Sequence, residues 1–235
     1  MAASQRLLAP QAGHLFGTDH MGRDLLARVG YGARYSLMIG VVAVSVSVLF
    51  GSIVGSVAGY YGGKIETVIM RIVEMLLMVP SILLTITIIA AFGISLTNLM
   101  IALGVTTIPH FARNARASVM TVRTNEYVEA AKAVGARDYV IIFKHVLPNA
   151  LSPIMVQATT RIAGCIIDAA AFSFLGLGVP APLPEWGALL SDARPFLREY
   201  PYLAIFPGLA IMITVLSINL IGDGLRDALD PKLKH

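Results

Sequence analysis

Apolar residues fall into long uninterrupted runs along this chain. Residues 37–58, 75–112 and 202–221 carry no charge, and residues 147–183 are interrupted only by Arg161 and Asp168. A membrane-spanning helix needs about 20 residues to cross an apolar layer about 30 Å thick. The run 75–112 would form a helix of roughly 57 Å at 1.5 Å per residue, which is too long for one crossing. We therefore divide it near its middle, at Gly93-Ile94-Ser95.

This division predicts five membrane-spanning helices. The runs lack the alternation of barrel strands, and a helix pairs its own backbone groups within one segment. The fold class that we predict is an all-α polytopic membrane protein. Its spans cover about 36–59, 69–92, 96–118, 150–174 and 203–221.

Lysine and arginine residues concentrate on one side of this topology, which we predict to be cytoplasmic. The opposite side has Arg194 and Arg198 in the last outer loop, and four more arginines in the first 34 residues. Those first residues have no apolar core of signal-peptide length. We predict an external or interfacial segment 1–34, a transmembrane domain 35–235 and a cytoplasmic hairpin at about 121–148. The eleven cytoplasmic basic residues are Lys64, Arg71, Arg113, Arg116, Arg123, Lys132, Arg137, Lys144, Arg226, Lys232 and Lys234.

Composition excludes several classes of protein. Hydrophobic residues make up 56% of the chain, charged residues 14%, and the mean hydropathy is +0.74. Soluble domains carry about 25% charged residues, so an ordinary soluble enzyme and a disordered chain are excluded. The single cysteine, Cys165, cannot form an internal disulfide. The net charge of +4 comes without a dense basic run, which argues against nucleic-acid binding.

Two features inside the spans affect helix packing. Gly51, Gly55 and Gly59 recur every four residues on the first span, with Ser47 extending the row. Small residues at this spacing let another helix approach closely, so we interpret the row as a packing surface, with a direct role in substrate passage as the alternative. Pro80 is expected to kink the second span.

Charges inside the spans are candidate path residues, because charges in lipid are costly. Arg161 and Asp168 share a helix face about 10.5 Å apart along the axis, too far for a direct pair without long reach. They either line a transport path or pair with charges on a neighbouring helix. Glu74, near Arg71, is a third path candidate, although residues near a helix end can also reach the interface. We expect His110 to be hydrogen-bonded at the interface, and we predict no metal site.

The cytoplasmic segment predicts two short helices. Asn125 can cap the first, Glu126 and Glu129 favour its first turn, and Gly135 can end it. The second covers 138–146 and is expected to stop at Leu147-Pro148. We expect this hairpin to expose an apolar surface that either contacts a partner or lies on the bilayer. Its residues are Tyr127, Val128, Ala131 and Val134.

This segment carries a resemblance to a known family. Glu129-Ala130-Ala131, followed by Gly135 and then Leu147-Pro148, resembles the EAA motif of binding-protein-dependent ABC importer permeases. Four other segments are similar to the peptide and nickel branch, and in particular to the second permease subunit of dipeptide and oligopeptide importers. They are 16–24 (FGTDHMGRD), 173–178 (SFLGLG), 184–187 (PEWG) and 222–231 (GDGLRDALDP).

The resemblance implies a type I ABC importer permease fold in a prokaryotic inner membrane. It implies that the helix Glu126–Gly135 docks on a cytosolic ATPase subunit. The implied partners are a second homologous permease subunit, two ATPase subunits that bind ATP and Mg, and an extracytoplasmic substrate-binding protein. This chain has no GxxxxGK[ST] phosphate loop, so we expect no cofactor on it. The family usually has one more helix before this point, and we expect a sixth span upstream.

Three alternatives remain beside peptide import. The same branch includes importers of nickel or a metal chelate. A secondary transporter or channel would predict internal repeats, and we find no convincing repeat. An intramembrane metalloprotease would need HExxH, which the sequence lacks. We predict no catalytic residues.

Overall fold

The computed structural model describes residues 5–229, and the regular elements of that stretch are helical. The all-α prediction is therefore confirmed. The tail residues Asp230, Pro231, Lys232 and Lys234 of the sequence analysis lie outside the described residues. Between residues 5 and 229 the helices are α1 (Leu25–Tyr61), α2 (Gly63–Met78), α3 (Ser81–Phe92), α4 (Leu96–Val122), α5 (Glu126–Ala133), α6 (Asp138–Phe174), α7 (Trp186–Ala193) and α8 (Tyr202–Leu229).

α1 and α4 pack closely against each other at the centre of the bundle. Gly51, Gly55 and Gly59 face α4, and a Cβ atom added to any of them would collide with backbone or Cβ atoms of that helix. The Ser47 hydroxyl lies 2.7 Å from the carbonyl oxygen of Gly104. The structure thus places the small-residue row in a helix–helix contact, where the absence of side chains brings the two backbones together.

Pro80 breaks the second predicted span rather than kinking it. α2 ends at Met78, α3 begins at Ser81, and the two helices are bent by 87° relative to each other. Proline has no N–H to donate, and its ring crowds the carbonyl group four residues earlier. Pro80 adopts an extended ψ of 124°, which ends the helical path. The expectation of one kinked helix over 69–92 is therefore wrong.

Within residues 5–229, three helices are long and apolar enough to cross a membrane. These are α1, α6 and α8, and the bent pair of α2 and α3 makes a fourth if it counts as one span. α4 occupies the remaining predicted span, but Asn98, His110 and Arg113 interrupt its apolar character, and many of its residues are buried between helices. Helices therefore occupy all five predicted positions, while four at most meet the requirements for a span.

Residues 5–24 fold against α7 and the first turns of α1 and α8, and we call this region the cap end. The predicted boundary at residue 34 falls inside α1, because the Asp24 carboxylate caps that helix at its start. Its Oδ1 accepts a hydrogen bond of 2.8 Å from the N–H of Ala27. The rings of Phe16 and Phe206 stack with centroids 3.9 Å apart and tie the segment to α8.

The opposite end of α1 meets residues 123–148, which we call the hairpin end. The predicted stop at Leu147-Pro148 is wrong, because α6 runs through it as one helix from Asp138 to Phe174. A π-helical stretch, Ile141–Val146, comes directly before the proline. Its wider turn accommodates a residue that cannot donate a backbone hydrogen bond.

Candidate functional site

α5 presents the motif residues of the hairpin end on its outer surface. Glu126, Glu129 and Ala130 are exposed. Tyr127 is 42% exposed, and Val134, just beyond the helix, is 84% exposed, as predicted. The structure therefore offers carboxylate and apolar groups together on one free surface of this chain.

The other face of α5 is buried, which corrects part of the predicted surface. Val128 is fully buried and Ala131 packs partly against the same cluster. An isolated helix this short is unstable in water, so it needs an apolar face packed on the protein. Val128 provides that face. The cluster around it consists of Tyr60, Val119, Ile141, Ile142, Val146 and Ala150.

The turn after α5 depends on Gly135. Its φ is +79°, a left-handed conformation that glycine adopts readily. The N–H of Gly135 donates to the Lys132 carbonyl at 2.9 Å, and the N–H of Ala136 donates to the Ala131 carbonyl at 3.1 Å. At the start of the helix, Asn125 accepts through its backbone carbonyl, and its side chain makes no capping hydrogen bond, contrary to expectation.

Side-chain contacts attach the hairpin to the end of α1. The Tyr60 hydroxyl donates to Asp138 at 2.9 Å, and the Lys132 ammonium lies 5.0 Å from the centre of the Tyr60 ring. Arg123 donates to the Gly59 carbonyl at 2.7 Å, at a helix end where a cation is favourable. Sequence reasoning missed these contacts, because residues about 60 to 80 positions apart give no local signal.

Arg161 and Asp168 form a direct ion pair within α6, with 3.0 Å between Nη2 and Oδ2. A direct pair was expected to need a long reach, and the arginine side chain provides it, since it extends past Gly164 and spans the two turns. Arg161 also lies 3.4 Å from the Thr107 hydroxyl of α4. The side chains of Arg161 and Asp168 remain 33% and 40% exposed.

Glu74 lies apart from this pair. It is exposed on α2, and its ion-pair partner is Arg71, with 3.8 Å between charged atoms. His110 is exposed on α4. Across residues 5–229 no three His, Cys, Asp or Glu side chains are grouped as a metal site would require. The structure therefore brings two of the three path candidates together and leaves the third separate.

Comparison with known proteins identifies the family to which this chain belongs. The family model described as "Binding-protein-dependent transport system inner membrane component" matches residues 24–235. The chain belongs to this family of permeases. It is 51% identical to the dipeptide transport system permease protein DppC of Alkalihalophilus pseudofirmus, over 98% of this chain and 76% of that protein. It is 46% identical to the glutathione transport system permease protein GsiD of Pectobacterium atrosepticum, over 96% of this chain and 75% of that protein.

Solved structures confirm the fold of the permease. A chain of the MetNI methionine ABC transporter, in an inward-facing conformation, superposes with a TM-score of 0.70 at 21% identity. That match covers 88% of this chain and 96% of the other. A chain of an amino acid ABC transporter gives a TM-score of 0.61 at 17% identity, over 88% and 99% of the two chains. These proteins have the predicted type I importer permease fold.

At the cap end of the permease, Asp19 joins the segment 16–24 to α1. Its carboxylate accepts hydrogen bonds from the backbone N–H groups of Met21 and Arg23 and from the side chains of Arg23 and Arg28. Burial alone would raise the pKa of Asp19, but the hydrogen bonds from Arg23 and Met21 outweigh it and hold the pKa below its usual value. The Asp24 pKa is also lowered, first by the Ala27 N–H and then by His14.

Glu185 has the same kind of role in segment 184–187. Its buried carboxylate accepts from the N–H groups of Gly187 and Ala188 and from the Ser36 hydroxyl. The indole N–H of Trp186 donates to the Val29 carbonyl at 2.9 Å. The sequence pattern identified these segments only by resemblance, and their structural roles were missed. A carboxylate directly before a short helix is a capping signal that could have indicated the role of Glu185.

Proposed function

We propose that this chain is one of two permease subunits of an ATP-driven importer of di- or oligopeptides in a prokaryotic inner membrane. An external binding protein delivers the peptide, and two cytosolic ATPase subunits bind ATP and Mg and drive the cycle. Relatives named for dipeptides and glutathione support a peptide substrate. No specific observation favours nickel or a metal chelate.

The exposed surface of α5 carries this proposal. Glu126, Glu129 and Ala130 face outwards, while Val128 and the turn at Gly135 fix the helix to the bundle. Because α5 is held rigidly in this way, a force applied to its exposed surface displaces the helix as a unit and is transmitted to the bundle. We propose that an ATPase subunit contacts it.

α6 provides the route by which a push reaches the membrane. It is one helix from Asp138 through Leu147 and Pro148 to Phe174, and Tyr60 ties its first residue to α1. A displacement of the hairpin therefore moves the α6 segment that contains Arg161 and Asp168. We propose that these two residues line the path, and we leave out Glu74 because it lies apart from them.

Reversing the charge of Glu129 tests the coupling surface. Because the side chain is exposed, Glu129→Arg should change the stability of the purified permease by less than about 0.5 kcal/mol. Placing the wrong charge in an interface costs several kcal/mol, so labelled dipeptide uptake should fall about tenfold or more. The ATPase subunits should also co-purify in smaller amounts.

The control is Glu199→Arg, the same reversal at an exposed site near the cap end, which should retain the ATPase subunits. Normal uptake and normal co-purification with Glu129→Arg would contradict the coupling proposal. Uptake of Ni²⁺ rather than dipeptide by the wild-type importer would contradict the proposed substrate.

A further inference from the structure

A cavity of about 640 Å³ opens between α4, α6 and the last turn of α8. Polar side chains from all three helices line it, alongside apolar ones such as Val156 and Pro153. Its volume lies in the range of small-molecule sites. The polar lining residues are Asn114, Ser118, Ser152, Gln157 and Arg226. We call this space the inner cavity.

A row of polar contacts continues from the inner cavity along α4 and α6. Asn114 donates a hydrogen bond to Gln157. One turn further along α6, Arg161 contacts Thr107 of α4 and pairs with Asp168. At 1.5 Å per residue, the positions from Gln157 to Asp168 cover roughly 16 Å along the helix. We call these five residues the polar seam.

The polar seam is poorly suited to contact lipid. Polar and charged side chains in membrane helices normally face protein or a water-filled space. The exposed side of α8 is different, since Ile213, Leu216 and Leu220 are all more than half exposed and apolar. This contrast within one bundle indicates that α8 meets lipid while the seam and the inner cavity meet water or protein.

The chemistry of the inner cavity matches the carboxyl-terminal end of a peptide. The bond between Asn114 and Gln157 uses a donor of the first and the acceptor of the second. The amide oxygen of Asn114 and the amide NH₂ of Gln157 remain, and they complement the N–H and C=O of a peptide group. Arg226 supplies a guanidinium that can bind a carboxylate with two hydrogen bonds. Among the described lining residues there is no Asp or Glu to repel it.

We propose that the inner cavity is a subsite that holds the carboxyl-terminal end of a peptide before its release. Arg226 binds the carboxylate, and Asn114 with Gln157 binds the last peptide group. This inference rests on the proposed function as a peptide permease. Residues 123–137, which include α5, connect α4 to α6, so a movement of the hairpin would also change the width of the cavity.

Thiol protection in the complete importer tests the subsite without relying on transport. The chain's one cysteine, Cys165, is buried, so Ser152→Cys adds an accessible thiol on this chain inside the cavity. Without ATP, trialanine should slow labelling of that thiol, and trialanine amide should slow it much less. Adding Arg226→Gln should raise the trialanine concentration for half-protection about tenfold, as expected for a lost hydrogen bond between charged groups.

One control thiol and one alternative cavity thiol support the measurement. Glu199→Cys places a thiol at an exposed site near the cap end, where trialanine should not change the labelling rate. Ser118→Cys repeats the measurement from α4 if Ser152→Cys does not assemble.

Equal protection by the acid and the amide, or no effect of Arg226→Gln, would overturn the proposal. Slower labelling caused by anionic lipid in place of peptide would overturn it too, since the cavity would then be a lipid site. Peptide uptake by the wild-type importer distinguishes a failure of the subsite proposal from a failure of the proposed function. Dipeptide uptake without protection contradicts only the subsite, whereas failure to take up any peptide contradicts the proposed function itself.

Discussion

At the cap end of the permease, two motif carboxylates are buried and accept several hydrogen bonds, whereas the carboxylates of α5 at the hairpin end lie on the surface. Asp19 and Glu185 are 3% and 1% exposed, and each is bonded to backbone N–H groups and side chains. Glu126 and Glu129 are exposed on α5. The acidic residues of these motif segments therefore stabilise the fold at the cap end and remain available for a partner at the hairpin end.

The difference follows from what each end must do. Residues 5–24 have no regular helix that pairs all of their backbone, so the Asp19 side chain supplies the acceptor for the N–H groups of Met21 and Arg23. α5 pairs its own backbone, and a single buried valine, Val128, anchors it. Its carboxylates are therefore not needed for folding. Substitutions at the two ends should separate these roles.

Removing Asp19 should have the largest effect on stability. Asp19→Ala leaves Arg28, whose side chain is 10% exposed, with only Asp192 at 3.7 Å. Breaking a buried ion pair costs about 3–5 kcal/mol. Glu126→Ala, the same loss of a carboxylate at the hairpin end, should cost less than about 0.5 kcal/mol. Thermal unfolding of the two purified variants checks the comparison, and equal losses would contradict it.

The same residue predicts a dependence on pH. The pKa of Asp19 is lowered in the folded protein from a reference value of 3.8. Its ionised form therefore contributes stability that is fully present above the reference value and is lost as pH falls through the lowered pKa. The Asp19→Asn variant has no carboxylate to protonate at this position, so acidification should lower its stability by less than it lowers the stability of the wild-type protein. An unchanged acid titration of unfolding in that variant would contradict the prediction.

Glu185→Ala should have the second largest effect, about 2 kcal/mol. Two N–H groups at the start of α7 and the Ser36 hydroxyl would lose their acceptor, and a lost helix cap typically costs about 1 kcal/mol. Glu185→Gln keeps one acceptor oxygen and should lose less. Trp186 is the single tryptophan, so its fluorescence during unfolding reports on this site. Equal losses of stability in Glu185→Ala and Glu185→Gln would show that the oxygen acceptors of Glu185 are unimportant.

The sequence predicted the positions of α1, α4 and α8 well, because each contains a long apolar run, whereas the short helix α7 was not predicted. The contacts between distant residues were not predictable in this way. The ion pair of Arg161 with Asp168 needed the actual reach of the arginine side chain, and the break at Pro80 needed the backbone angle. Val128 appeared as exposed as Val134 in the motif, since only the packing of α5 on α1, α4 and α6 distinguishes them.

Those two valines give the smallest expected effect and the most direct comparison within one motif. Val128→Ala removes two buried methyl groups and should lower stability by about 1–2 kcal/mol. Val134→Ala acts on a residue that is 84% exposed, so its stability should change by less than about 0.5 kcal/mol. If the exposed face of α5 contacts an ATPase subunit, Val134→Ala should nevertheless reduce dipeptide uptake. Thermal unfolding and uptake should therefore respond to different valines, and a parallel loss of both in each variant would mean that the hairpin end has no separate docking face.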